Sequence, residues 1–265
     1  MRNLKLILSY DGADFAGWQV QPGRTTVQGA LASAIGRLSG ENVLPQGSGR
    51  TDAGVHALAQ VASFATASTI PVENWLRALN DILPASIRVL EVTEAAPEFH
   101  ARKSARAKTY RYRIHRGAIC PPFLARYVWH YPYPLEEGAM VAVADVVVGE
   151  HDFTSFAAVD PERVERMAAE ENVGASNSGT THVPTTNVRT IFSSSWTHEG
   201  EELIYTVRGS GFLHHMVRNL VGTFVLVGKG TLSREDLIRI LEARDRTAAG
   251  PTAPACGLYL VEVEY

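Results

Sequence analysis

The chain is 265 residues long, 45% apolar and 20% charged, with a formal net charge of −3. That balance excludes a disordered or fibrous protein and predicts two domains of ordinary size. No stretch reaches bilayer length, Lys5 and Asp11 break the apolar N-terminus, and Cys120 and Cys256 lack C-x-x-C spacing, so the reading is a cytoplasmic protein without membrane anchor, disulfide framework or zinc knuckle.

Leu4, Leu6, Leu8 and Tyr10 alternate with Lys5, Ile7 and Ser9, a strand that stops at the Asp11-Gly12 turn. Val27, Ala30, Leu31, Ala34, Ile35 and Leu38 then recur at helical spacing, with Thr25 and Gln28 as a capping box. Val43 to Gln46 and Gln60 to Ala65 read as strands around a Gly-rich turn. Pro71 opens a helix to Asp81, with Trp75, Leu76 and Leu79 inward, and Ile87 to Val92 forms a further strand. The first hundred residues thus combine two helices with about four strands. After a polar and then basic connection at 93–108 come a strand at Thr109 to His115, a Pro121-Pro122 loop and a helix over Leu135 to Val148. A hairpin at Val188 to Arg208 turns at Glu199-Gly200, and an apolar helix covers Phe212 to Val227. Ser233 and Asp236 cap a helix that carries Leu237, Ile238 and Leu241, and Leu258 to Tyr265 closes the chain as a strand. Residues 157–187, acidic at first and then rich in Gly, Ser, Thr and Asn, form a long loop.

Charge is unevenly spread. Arg102, Lys103, Arg106, Lys108, Arg111, Arg113 and Arg116 occur without an intervening acid, while acids gather at Glu91 to Glu98, Asp160 to Glu171 and Glu199 to Glu202. A net charge of −3 would ordinarily argue against a nucleic-acid partner, but the sum hides the distribution, and the expectation is one basic surface on a mildly acidic body.

The segment Gly-Ser-Gly-Arg-Thr-Asp-Ala-Gly-Val-His, residues 47–56, sets Asp52 among glycines. Such an aspartate is either a turn residue or a carboxylate presented where a ligand can approach the backbone. No Gly-Lys-Ser/Thr follows, which excludes a phosphate loop, and no second carboxylate lies between Asp52 and Glu73 to complete a glycosidase pair. Asp11 and Asp14 read as turn residues. His214-His215, on adjacent helix positions, point about 100° apart and make a poor metal pair. In Lys108 to His115, Tyr110, Tyr112 and Ile114 share one strand face and Arg111, Arg113 and His115 the other. This is either a core stripe with a solvated cationic face, or a stacking tyrosine at the strand's beginning with arginines for phosphates. Arg218, in the apolar helix, needs an anion.

Tyr10 to Gln19, Gly47 to Ala57, Lys108 to Ile114, Gly149 to Phe156, Gly211 to Gly222 and Gly257 to Leu260 together resemble, in order, the tRNA pseudouridine synthases of the TruA family. The resemblance implies an α/β pseudouridine synthase fold: two mixed α/β domains, 1–104 and 105–265, sharing a central antiparallel sheet with an active-site cleft between them. It also implies a homodimer that binds the anticodon stem-loop of tRNA and isomerises uridine to pseudouridine at tRNA positions 38, 39 or 40, without cofactor or metal. Carried over residue by residue, Asp52 is the catalytic aspartate, Arg218 its partner, Tyr110 the residue stacked on the target base, Arg50 the group associated with nucleotide flipping and Leu258 a pocket residue. Arg111 and Arg113 are the phosphate-holding candidates. The chain departs from the pattern after Phe156, where Ala157-Ala158 and the long insertion stand in place of a basic residue and a shorter loop.

Overall fold

The computed structural model describes residues 1–158 and 186–265. The acidic and Ser/Thr-rich parts of the long loop, 159–185, lie outside the described residues. The contacts gather the chain into two compact units: Met1–Pro134 with Phe192–Gly211 and Pro254–Tyr265, and Leu135–Ile191 with Phe212–Ala253. The units are discontinuous because late segments of the chain return to pair with early strands.

The first unit is built on a large mixed sheet. Strands β1 (Arg2–Tyr10), β2 (Gln46–Gly47), β3 (His56–Thr66), β4 (Ile87–Ala95), β5 (Ala107–His115), β6 (Trp129–His130), β8 (Val188–Glu199, in this unit from Phe192 on), β9 (Glu202–Gly209) and β10 (Leu258–Glu264) run in the order β4-β1-β3-β10-β5-β9-β8, with β2 beside β3 and β6 beside β5. The pairings are antiparallel except for β10 with β3 and β5 with β6, which are parallel. The central sheet is thus antiparallel at most of its pairings, with these two parallel exceptions. The last strand enters the middle of the sheet from a distant part of the chain, so no hairpin fixes its direction.

Alternation in β1 buries Leu4, Leu6 and Leu8 completely. On the sheet lie α1 (Val27–Ser39), through Leu31, Ala34 and Ile35, and α2 (Val72–Ile82), through Trp75 and Leu79. Trp75 meets Phe64 of β3 edge-on, with ring centroids 5.6 Å apart. The cap of α1 is Thr26 rather than Thr25: its hydroxyl accepts the Gly29 N–H at 3.2 Å. Gln28 is not a capping partner. Its side chain accepts the Val20 N–H and donates to the Pro45 carbonyl, tying the loop before α1 to the loop after it.

In the second unit α3 (Glu137–Val143) gives way at Ala144 to a single 3₁₀ turn, so the helix expected to reach Val148 is shorter. β7 (Gly149–Asp152) pairs antiparallel with Val188 to Ile191 at the start of β8. Almost the whole of α4 (Met216–Gly228) is buried. It starts four residues later than its apolar pattern suggested, because His215 has a left-handed backbone, φ 59°, that cannot continue a helix. α5 (Arg234–Ala243) has the capping box of Ser233 and Asp236 read from the sequence, but it buries Ile240 beside Leu237 and Leu241, while Ile238 is exposed. Between these elements Ser155, fully buried, donates to the Ile240 carbonyl at 2.5 Å and accepts from the Asp245 N–H at 3.0 Å. Among the described residues no helix is long and apolar enough to cross a membrane.

The two threonines before α1 separate the cap from its neighbour. Thr26→Ala should lower unfolding free energy by about 1 kcal/mol and Thr25→Ala by only a few tenths, read from urea midpoints at constant slope.

Candidate active site

Asp52 lies between β2 and β3. The Val55 N–H donates to the Asp52 carbonyl at 3.1 Å and Gly54 has φ 78°, which makes 52–55 a type II turn with glycine at the position that requires positive φ. Thr51 and Val55 are buried, Asp52 is half-buried and Arg50 is exposed. The turn reading of this aspartate therefore holds, and the turn leaves its side chain partly accessible.

The loop after β1 grips this turn along its whole length. The Trp18 N–H donates to the Thr51 carbonyl at 3.0 Å, and the Gly54 N–H donates to the Phe15 carbonyl at 3.4 Å. Gly17, at φ 94°, lies so close that a Cβ there would stand 2.6 Å from the Thr51 carbonyl oxygen. A Cβ on Gly12 would stand 1.9 Å from that of Val55. The residues before Asp52 are anchored as well. Lys108 Nζ donates to the Ser48 carbonyl at 2.6 Å, and the buried Gln60 donates to the Gly49 carbonyl at 2.9 Å. Lys108, read as part of the basic surface, is thus a strut for the turn.

Tyr110 is the fourth residue of β5 and sits between Leu260 of β10 and Val207 of β9. It is therefore central in the sheet, not at the strand's beginning near a core edge, because β5 starts two residues earlier than the alternation suggested. Leu258, 5% exposed, faces Tyr112 and shares the face of Tyr110 and Leu260. Burial foremost, with the charges of Tyr10 and Asp52 added, pushes the Tyr110 phenol above the ordinary tyrosine value. That electrostatic coupling brings Tyr110, Tyr10 and Asp52 into one neighbourhood. Tyr10, pushed up to about 12 by burial against the opposing hydrogen bonds of Thr51 and Gln60, shares a 2.8 Å bond with the Thr51 hydroxyl.

Arg111 and Arg113 project from the other face of the sheet. There they line, with Leu58, Glu199, Glu202 and Tyr259, a cavity of about 300 Å³. Arg113 is held by Glu202 in two bonds of 2.6 Å, and that carboxylate, before any other group, raises its pKa. Arg116 donates to the Tyr131 and Tyr133 carbonyls. The basic run is thus partly spent inside the first unit, while Arg102, Lys103 and Arg106 remain exposed.

In the second unit Arg218 is the third residue of α4 and half-buried, so it is less enclosed than an apolar helix implied. Its Nε donates to the Ala253 carbonyl at 2.7 Å, and its own carbonyl accepts the Ala253 N–H at 3.1 Å. His214 and His215 precede α4, with rings 4.0 Å apart, so the argument from adjacent helix positions does not apply to them.

Sequence reasoning overlooked a second cluster behind the Asp52 turn. His56, 2% exposed, accepts the Gly12 N–H at Nδ1 at 3.1 Å and donates from Nε2 to the Arg126 carbonyl at 3.2 Å. Its Nδ1 also lies 3.2 Å from Asp11 Oδ1, and its ring stacks on Tyr259, 4.8 Å between centroids. Asp11 accepts from the Tyr127 hydroxyl at 2.9 Å and the Ala13 N–H at 3.0 Å, so it is more than a turn residue. The available signal was the histidine ending the Gly-rich segment.

Gly17→Ala tests the grip on the turn. The left-handed backbone and the close carbonyl should together cost about 2 kcal/mol or more and raise amide exchange at Trp18 and Val55, measured by hydrogen–deuterium exchange. Wild-type exchange at both amides would show that the loop does not hold the turn.

A family model described as tRNA pseudouridine synthase matches residues 6–102 and 143–265. These spans contain Arg50, Asp52, Arg218 and Leu258, whereas Tyr110, Arg111 and Arg113 fall between them. Full-length similarity bridges the interval. A protein of Solibacter usitatus named tRNA pseudouridine synthase A is 49% identical over 265 residues, covering all of both chains. Proteins of the same name from Moorella thermoacetica and Brevibacillus brevis are 46% and 44% identical, covering 99% and 100% of each chain.

Proposed function

Because the chain belongs to the tRNA pseudouridine synthase family, and is thereby an isomerase, we propose that it converts uridine to pseudouridine at positions 38, 39 or 40 in the anticodon stem-loop of tRNA, with Asp52 as its one catalytic carboxylate. In this reading residues 1–104 carry the aspartate, residues 105–265 carry Tyr110 and Arg218, and the enzyme works as a cytoplasmic homodimer without cofactor. The observation that carries the reading is the Asp52 turn: a half-buried carboxylate on a glycine-defined turn, held by the loop after β1 and by the Lys108 and Gln60 side chains, and electrostatically coupled to a buried tyrosine.

The isomerisation breaks the bond from C1′ to N1, turns the uracil over, joins C5 to C1′ and moves the C5 proton off the ring, with N1 protonated in the product. One carboxylate that attacks the sugar or takes a sugar proton suffices, since no water has to be activated. The base must first leave its stack, at a cost of a few kcal/mol, and Arg50, exposed beside the turn, is suited to hold the gap. Tyr110 stacks on the freed uracil. Its raised pKa keeps the phenol neutral at working pH, which favours stacking over a resting base for the C5 proton. Leu258 supplies an apolar wall on the same sheet face. Arg218 is carried over from the family motif as a further residue of the site.

Asp52→Asn should bind tRNA normally and form pseudouridine at least ~10³-fold more slowly, measured by nucleoside analysis of unmodified tRNA. Substantial residual turnover would remove Asp52 from its role, and release of free uracil would mean hydrolysis instead.

The two arginines should separate in tRNA binding. Arg113 is already paired with Glu202, whereas Arg111 has a buried Nε with no hydrogen-bond partner among the described residues. Arg111→Gln should therefore reduce the slope of log affinity against log salt by up to about one, and Arg113→Gln by much less. Equal slopes for both variants and wild type would take this face out of the RNA contact.

A further inference from the structure

We propose that His56 is a positioning residue for the Asp52 turn and that it works only as the neutral imidazole, so that its protonation loosens the turn. The proposal rests on the functional reading only for its effect on turnover.

The imidazole joins segments that are distant in sequence. Nδ1 accepts from Gly12, and Nε2 donates to Arg126. The Gly12 N–H matters because Gly12 packs against the Val55 carbonyl, and its own carbonyl receives the Phe15 N–H at 3.0 Å. Phe15 in turn receives the Gly54 N–H, so the chain of bonds from His56 ends inside the turn that carries Asp52. The residue after the turn therefore locks the loop that encloses it.

Nδ1 also faces Asp11 Oδ1 at 3.2 Å, and this makes the lock two-state. In the neutral ring Nδ1 is an acceptor and serves Gly12. Once protonated it becomes a donor, must give up the Gly12 N–H and turns to Asp11 instead. The groups facing the ring are Asp11, the Arg126 carbonyl and guanidinium, the Tyr127 ring whose hydroxyl binds Asp11, the Tyr259 ring, and the Cys256 backbone. Asp14 draws off the Arg126 guanidinium at 2.6 Å.

The balance of these influences favours the acceptor state. Burial, the largest influence, lowers the His56 pKa below the ordinary 6.5, although Asp11 pulls it upward. A depressed histidine pKa gives stability that is present above 6.5 and is lost as pH falls through the folded-state value. Asp11 itself stays ionised: partial burial, its largest influence, raises its pKa, but Ala13, Tyr127, His56 and Arg126 together hold it below the usual value.

The test has a structural and a kinetic arm on the full-length protein. In hydrogen exchange corrected for intrinsic rates, protection at Gly12, Gly54 and Val55 should fall as pH drops below neutral in the wild type. It should not fall in His56→Asn, whose amide oxygen can accept from Gly12 but cannot titrate. Turnover on unmodified tRNA should show an acid limb in kcat that His56→Asn lacks and that Asp11→Asn moves to lower pH. His56→Ala should lose about ten-fold in kcat with little change in KM, as expected of a displaced rather than a missing catalytic group. Pseudouridine assays use only pH values at which circular dichroism shows each variant folded. Protection that is independent of pH in the wild type, or an acid limb that persists in His56→Asn, would overturn the proposal. Pseudouridine-free reactions combined with pH-dependent protection would instead overturn the functional reading and leave the lock standing.

Discussion

The backbone of residues 51–55 is pressed against the loop of residues 12–18 so tightly that no side chain fits at Gly12 or Gly17. Everything proposed for Asp52 depends on that contact. A turn on a surface loop would let its carboxylate wander, whereas this one is flanked by the ends of β1 and β3, which pair along most of their lengths and bury Leu4, Leu6 and Leu8 between layers. The precision of the turn is therefore borrowed from the core, in keeping with the rule that exact sites are built on rigid elements. Two sequence segments some 40 residues apart are, in space, one piece of structure.

The same economy governs the strand that carries Tyr110. Alternation along β5 sends Tyr110 and Tyr112 to one face, among Leu258, Leu260 and Val207, and Arg111 and Arg113 to the other. One strand thus serves an apolar pocket wall and a charged surface without conflict. Much of the charge never reaches a partner, however: Lys108 braces the Asp52 turn, Arg113 meets Glu202 and, just past the strand, Arg116 meets the Tyr131 and Tyr133 carbonyls. A basic run in the sequence is a count of cations, and only the fold says how many are left for phosphate.

Elements set by local pattern were legible. The strand alternation of β1, the helical spacing of α1 and α2, the hairpin of β8 and β9 and the Ser233 cap all follow from neighbours in sequence. What failed depended on one backbone angle or on distant chain. Thr26 rather than Thr25 is the cap because the chain enters α1 one residue later, and α4 waits for Met216 because His215 is left-handed. The central position of Tyr110 was hidden because β10, arriving from the far end of the chain, covers the side of β5 that would otherwise be an edge. Within the site Asp52 was visible as a glycine-framed carboxylate. The cluster of His56, Asp11, Tyr127 and Tyr259 was not, since its members meet only when residues 126–127 and 259 fold back onto β3.

That hidden cluster bears on the proposal that one carboxylate suffices. Tyr10 and Tyr110 are held neutral by burial, and His56 is pushed the same way, so these three groups add little formal charge of their own. Asp11, the nearby carboxylate on the other side of His56, is already committed to Tyr127, Ala13 and the Arg126 charge. A hydrolase would need a second acid or base facing the first across a water molecule. Here the neighbouring acid is turned to structural use and the aromatic groups stay uncharged, an environment matched to the reaction proposed for Asp52, in which a base leaves and rejoins the same sugar beside one carboxylate.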